Sequence, residues 1–189
     1  ATGEYIAFAD GDDWLEPDML ERLMKILLCE KVDVAMCGRF EDTGNICKEV
    51  YHGIPAGRYD KKALLDKVYP GMIVNGDFFE WGIFPGLWDK LFRRECLEQF
   101  LMGVDDAITM GDDAAGTYPC ILNADSIYIL DKCLYHYRQT QTSTVKQKAD
   151  AAVERRRFHI LYETVLRTLN LYKDIYDLTN QWKEYTLFL

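Results

Sequence analysis

Cationic excess is missing from this sequence. Its 189 residues carry 22 Lys and Arg against 31 Asp and Glu, a formal net charge of -9. A surface of that sign lacks the cations that displace phosphate counterions, which argues against nucleic-acid binding. Also absent is any apolar run near the roughly 20 residues of a membrane span. The best candidate, residues 23–29, is interrupted by Lys25 and stopped by Glu30. No C-x-x-C pair occurs among Cys29, Cys37, Cys47, Cys96, Cys120 and Cys133, which argues against a structural zinc site. Cys29, Cys37 and Cys120 sit in apolar runs, so the cysteines read as buried free thiols of a reducing compartment rather than a disulfide framework. No Met and no signal-type h-region opens the chain, and an apolar run starts almost at once at Tyr5. That is the pattern of a cut inside a larger protein, or of a processed terminus.

What is present is globular in character. Hydrophobic residues make up 49% and charged residues 28%, enough for one domain with a core of its own. Residues 5–9 read as a short buried strand ending in the acidic turn Asp10-Gly11-Asp12-Asp13. A helix should follow, with Pro17 in its first turn and a stripe of Leu20, Leu23, Met24, Leu27 and Leu28. Residues 31–40 and 46–52 read as strands, the second more exposed. Gly53, Pro55 and Gly57 mark a turn, after which Asp60 caps a short helix to residue 68. Between residues 69 and 91, Gly, Pro and the aromatics Phe78, Phe79, Trp81, Phe84 and Trp88 crowd together, which predicts an aromatic loop over a cleft. Residues 93–101 read as a helix. Residues 105–110 lead into Gly111-Asp112-Asp113 and a helix to residue 122. A strand-rich stretch follows at 126–138, then a polar loop at 140–144. The clearest helix covers 148–169, and a second should include Tyr172, Ile175, Tyr176 and Trp182.

The chemistry concentrates in two acidic turns. In an extended chain residues i and i+2 share a side, so Asp10 and Asp12 can present two carboxylates together. In open α/β sheets, ligands bind at the carboxyl ends of strands, where this turn would sit. Two hard oxygen donors suit Mg2+ or Mn2+, which commonly bridge to phosphate oxygens. The ordinary alternative is a solvated turn capping the next helix. An EF-hand register from Asp10 fails, because Leu15 falls where its Gly must be and Trp14 replaces a ligand. At the second turn, Asp112 and Asp113 read either as an N-cap pair or as carboxylates at a cleft, one of them a general base.

These residues resemble a known family. Gly3-Glu4-Tyr5-Ile6-Ala7-Phe8-Ala9-Asp10-Gly11-Asp12-Asp13 with Pro17-Asp18-Met19-Leu20 is similar to the central segment of family 2 glycosyltransferases, which have the GT-A fold. Three further elements follow in that family's order: Trp88-Asp89-Lys90-Leu91-Phe92, Gly111-Asp112-Asp113 (Asp112 replacing the usual Glu), and Tyr135-His136-Tyr137-Arg138 with Ser143. The resemblance spans about residues 1–145 and is strongest to bacterial enzymes that build surface polysaccharides.

The resemblance implies a fold and a set of roles. The fold is α/β, a partial GT-A-like (nucleotide-diphospho-sugar transferase) sheet lacking the N-terminal nucleotide-binding half, followed by helices. Residues 1–145 would be the C-terminal half of the transferase domain and 146–189 a helical extension. Asp10 and Asp12 would hold Mn2+ or Mg2+ and the donor diphosphate, with His136 as a third metal ligand. Asp13 would lie beside the donor sugar. Asp113 would deprotonate the acceptor in an inverting displacement, with Asp112 nearby. Trp88 and Lys90 would line the acceptor side, and Arg138 would approach the diphosphate. Trp88 as core, Lys90 as surface and His136 as a plain strand residue remain the ordinary readings. The implied partners are a nucleotide-sugar donor, first of all a UDP-sugar, and a glycan or lipid-linked acceptor. Exposed edges of an incomplete sheet would favour a homodimer. The implied location is the cytoplasm, at the inner face of the membrane.

Two rivals stand beside it. Haloacid-dehalogenase-type phosphatases also carry D-x-D after a strand, but Trp14 stands where they want Thr or Val. A non-catalytic interaction module is the other. In it Arg155-Arg156-Arg157 could touch an anionic membrane, against the plainer reading of a solvated helix face.

Overall fold

The computed structural model describes residues 2–76, 80–104, 108, 111–139 and 150–187. The expectations for Phe78, Phe79, residues 105–107 and 109–110, the loop 140–144 with Ser143, and the start of the long helix at 148 lie outside the described residues.

A mixed sheet is the centre of the molecule. Its strands are β1 (Tyr5–Ala7), β2 (Trp14–Leu15), β3 (Val34–Thr43), β4 (Ile46–Val50), β5 (Gly57–Asp60), β6 (Lys90–Arg93) and β7 (Ser126–Arg138). They run in the order β1-β6-β3-β7-β2, with β4 added to β3 and β5 added to β7. Among the described residues, β3 and β7 are parallel to each other and the other strand pairings are antiparallel. Each of these two long strands serves two neighbours in turn. The first part of β3 pairs β6 and its end pairs β4, while β7 pairs β5 and then β2.

The sheet is covered on both faces, and alternation along β3 decides which residue meets which layer. Val34 and Met36 enter one core cluster, Ala35 and Cys37 the other. On the second face lies α1 (Met19–Glu30), held by Met19, Leu23 and Leu27. On the first face lie α3 (Arg94–Leu101), α4 (Asp112–Asn123), α5 (Ala151–Leu171) and α6 (Thr179–Tyr185), numbered after the short α2 (Lys61–Ala63). Leu161, Val165 and Leu169 of α5 and Trp182 and Tyr185 of α6 belong to the same cluster as Phe92 and Val34. The C-terminal helices are therefore part of the main core.

Several expectations need correction. The first strand is an edge strand, paired only with β6, and it is half-exposed rather than buried. In α1 the buried stripe is Met19, Leu23 and Leu27, one residue per turn, while Leu20 and Leu28 are exposed. Pro17 lies before that helix. Strands β2, β5 and β6 were not foreseen. The segment after Tyr69 holds fully buried Met72, Ile73 and Ile83, so it is core as well as loop. Tyr172 and Ile175 precede α6 instead of lying in it. Asp60 does cap the following helix, accepting the Ala63 N–H at 2.9 Å. All six cysteines are free, but Cys29 and Cys47 are exposed.

Candidate active site: an acidic cleft

The turn after β1 reverses through a backbone bond from the Asp13 N–H to the Asp10 carbonyl at 3.3 Å. The far end of β7 pins it. The Tyr135 hydroxyl donates to Asp13 Oδ2 at 2.9 Å and accepts the Asp10 N–H at 3.1 Å, and the Arg138 N–H donates to Asp13 Oδ1 at 2.8 Å. Asp13 thus spends both oxygens on β7. It anchors the turn, and the carboxylates left open are those of Asp10 and Asp12. Arg138 stacks its guanidinium 5.1 Å from the Trp14 ring centre, beside the same turn. Tyr135→Phe should lower stability by about 1–3 kcal/mol in urea unfolding at pH 7, because it removes a hydrogen bond to a charged carboxylate.

The second acidic turn meets the first across a cleft of about 460 Å3, within the range of small-molecule sites. Asp10, Asp112 and Asp113 all line it, and Phe8, Leu87 and Trp88 supply apolar wall. Gly111 caps α4 in the left-handed conformation, φ 80°, where a side chain would be strained. Asp112 is the first helical residue and makes no capping bond, so the capping reading of this pair is not what the fold uses.

Electrostatics separate the acids. Burial raises the Asp113 pKa to about 7, with the charges of Asp112 and Asp10 adding to it; Lys90 and a backbone bond from Leu87 pull the other way. Asp10 is raised by burial and by the crowding of Asp13, Asp12 and Asp112. A carboxylate poised near neutral pH at a cleft suits proton abstraction. Crowded, open oxygen donors suit a hard divalent cation, so Asp10 and Asp12 fit that role by the chemistry of their donor set.

Trp88 stands on the cleft wall and is also packed from behind. Tyr135 stacks on it at 4.4 Å between ring centres and Tyr137 at 5.6 Å. Lys90 is neither at the surface nor in the cleft. It is fully buried, and its Nζ donates to the carbonyls of Phe84 (2.8 Å) and Gly86 (2.6 Å) and to Asp89. It holds the loop that carries Leu87 and Trp88. Thr117 of α4 adds a bond to the Pro85 carbonyl at 2.7 Å. His52, which the sequence reading passed over, accepts the Phe84 N–H at 3.1 Å and faces buried Asp89 at 3.6 Å. Only its place next to a turn hinted at it.

His136 is not gathered with Asp10 and Asp12. Its Nδ1 lies 2.8 Å from Asp42 and its Nε2 3.0 Å from Glu16, with both ring nitrogens engaged. The ring is sandwiched between Trp14 at 4.7 Å and Phe40 at 4.5 Å. Among the described residues, no helix is long and apolar enough to cross a membrane.

Comparison with known proteins gives this arrangement a context. The family model for glycosyl transferase family 2 matches residues 1–84. EpsH of Bacillus subtilis (strain 168), provisionally named a glycosyltransferase, is 28% identical over 156 residues, covering 78% of this chain and 41% of that protein. The uncharacterized glycosyltransferase YibD of Escherichia coli (strain K12) is 26% identical over 184 residues, 90% of this chain and 48% of that one. The chain thus spans less than half the length of these curated relatives. Among solved structures, Staphylococcus aureus TarS 1–349 in complex with UDP-GlcNAc superposes with a TM-score of 0.55 at 14% identity, covering 98% of this chain and 66% of that one. The same protein in complex with UDP gives 0.53 at 17% identity, over 90% of this chain and 48% of that one. The family match over residues 1–84, the curated relatives and the fold agree in one direction: the chain is similar in sequence to family 2 glycosyltransferases and shares the fold of TarS.

Proposed function

We propose that this chain carries the acceptor-activating and diphosphate-holding part of an inverting sugar transfer. The observation that supports it most is the meeting of Asp10, Asp112 and Asp113 in one cleft, with Asp113 raised to about pH 7. In this reading Asp113 takes the proton from an acceptor hydroxyl. The freed oxygen attacks the anomeric carbon from the face opposite the leaving diphosphate, and the bond to that diphosphate breaks with inversion. Trp88 and Leu87 give the sugar an apolar wall, and the Lys90 clamp keeps that wall in place. Asp13 and Tyr135 hold the turn so that Asp10 and Asp12 face the donor, and Arg138 stands beside it for the phosphate charge.

Asp10 and Asp12 would hold a Mn2+ or Mg2+ ion, whose chemistry when bound is to neutralise charge on the diphosphate. The TarS complexes with UDP and UDP-GlcNAc make a UDP-sugar the first donor to test. A glycan or lipid-linked acceptor of surface polysaccharide synthesis is the acceptor class that the sequence resemblance implies.

Calorimetric titration of Mn2+ with and without UDP tests the metal and donor assignment. UDP should tighten Mn2+ binding by at least about tenfold, as expected of a shared site with ordinary coupling. Asp12→Ala should abolish that gain, and because Asp12 is exposed the variant should fold. Equal Mn2+ affinity with and without UDP in the wild-type chain would refute the assignment.

A further inference from the structure

The end of the sheet remote from α4 holds a second group of ligand-type side chains. Asp42 and Cys47 sit directly opposite each other across the β3–β4 pair. On the other side of β3, His136 of β7 lies opposite Phe40, two residues from Asp42. This register brings one oxygen of Asp42, Cys47 Sγ and one ring nitrogen of His136 within 4.8 Å of one another. It is the one such triad among the described residues. None of the three belongs to the acidic cleft.

The surroundings of His136 are those of a metal-bound imidazole. Its Nε2 meets the Glu16 carboxylate at 3.0 Å, and its Nδ1 points at Asp42 at 2.8 Å. A metal-ligating His almost always gives its other N–H to a carboxylate, a backbone carbonyl or water, which fixes the tautomer and the ring. The aromatic sandwich of Trp14 and Phe40 fixes the plane as well. An ion would take the place of the proton between Nδ1 and Asp42.

We propose that Asp42, Cys47 and His136 form a site for a borderline-soft divalent cation, Zn2+ above all, with Glu16 orienting His136 and water completing the shell. A thiolate and an imidazole select Zn2+ over Mg2+ or Mn2+, whereas the cleft offers only hard oxygens. The chain would therefore sort two ions to two places. Cys47 is exposed and open to an incoming ion. The bound ion would tie the β3–β4 hairpin to β7 and brace Trp14 from below. The sequence hides this site, because its ligands follow no short spacing and meet only through the strand register. It does not rest on the transferase reading.

The test uses the full chain stripped of metal. Co2+ replaces Zn2+ and reports a thiolate ligand through a charge-transfer band in the near ultraviolet. The wild-type chain should show that band, Zn2+ should bleach it, and Asp12→Ala should keep it. Cys47→Ser and His136→Ala should lose it. Glu16→Ala should weaken Co2+ by about 10–100-fold, the usual cost of losing such a partner. An independent readout is alkylation by iodoacetamide mapped by mass spectrometry. Zn2+ should shield Cys47 while leaving Cys29, the other exposed cysteine, as reactive as before. A band that survives Cys47→Ser, or equal reactivity of Cys47 with and without Zn2+, would overturn the proposal.

Discussion

In the transfer reaction proposed above, measured on protein that includes the nucleotide-binding half the resemblance implies, Asp113→Asn should lower kcat/KM by about 10²–10⁴-fold, the usual contribution of a positioned general base. The change keeps the shape of the side chain and removes its ability to take a proton. KM for donor should stay within a few-fold, since the residue works on the acceptor side. The wild-type rate should rise with pH and level off above about 7, where Asp113 is ionised. The variant's residual rate should lack that rise. A variant that keeps both the rate and the pH profile would show that another group is the base.

Stability should move in the opposite direction. The Asp113 pKa in the fold, about 7, lies above its unfolded value of about 3.9, so the fold favours the protonated form. Stability from this group is fully present below the unfolded value and is lost as pH rises through about 7. Asn has no charge to desolvate. Asp113→Asn should therefore be more stable than wild type at pH 8 by about 2 kcal/mol, and about equal to it near pH 4. Urea unfolding at the two pH values separates this from a simple packing effect. Loss of rate with gain of stability is the signature expected of a buried carboxylate kept for function at a cost in stability.

Trp182→Ala should cost about 3–5 kcal/mol, as large as single core truncations become. Trp182 is fully buried, stacks on Tyr185 at 4.8 Å, and its indole N–H donates to the Tyr162 carbonyl at 3.2 Å. The change empties a large volume and removes the indole bond to that carbonyl. Equilibrium urea unfolding checks it, with a single transition moving to lower denaturant. A loss below about 1 kcal/mol would mean that α6 docks loosely and that the rest of the sheet and α4 stand without it.

How much of this could be read from the sequence depends on how local each feature is. Asp60 and the Gly111 turn are short-range, and both were placed, although Gly111 rather than Asp112 turned out to be the cap. Asp10, Asp112 and Asp113 line one cleft although their two turns lie far apart in the chain, a meeting that only the fold brings about. Leu20 and Leu28 misled because a helix one layer deep buries a single stripe, which Met19, Leu23 and Leu27 already fill. Strand β6 was hidden by its position next to a helix and an aromatic loop, and β5 by the turn signal of Gly57. The surroundings of His136 are set by the pairing of β7 with β3 and β2, and nothing in its neighbourhood along the chain encodes that. Lys90 is the sharpest case. A lysine in a motif suggests a hand reaching for substrate, yet β6 is covered on both faces and Lys90, Leu91 and Phe92 are all buried.

That buried lysine bears on which positions of the loop can change. Lys90 grips the loop by the carbonyls of residues 84 and 86, and Thr117 grips residue 85 in the same way. Backbone oxygens are common to every amino acid, so the hold does not depend on which side chains Phe84 and Pro85 present. Phe84 is also tied by its ring, 5.3 Å from Trp88 and 3.9 Å from the Arg39 guanidinium, so Pro85 is the position that can change while these backbone bonds keep the loop on its course. The course of the loop is thereby held through its backbone, separately from the side chains that Leu87 and Trp88 present to the cleft.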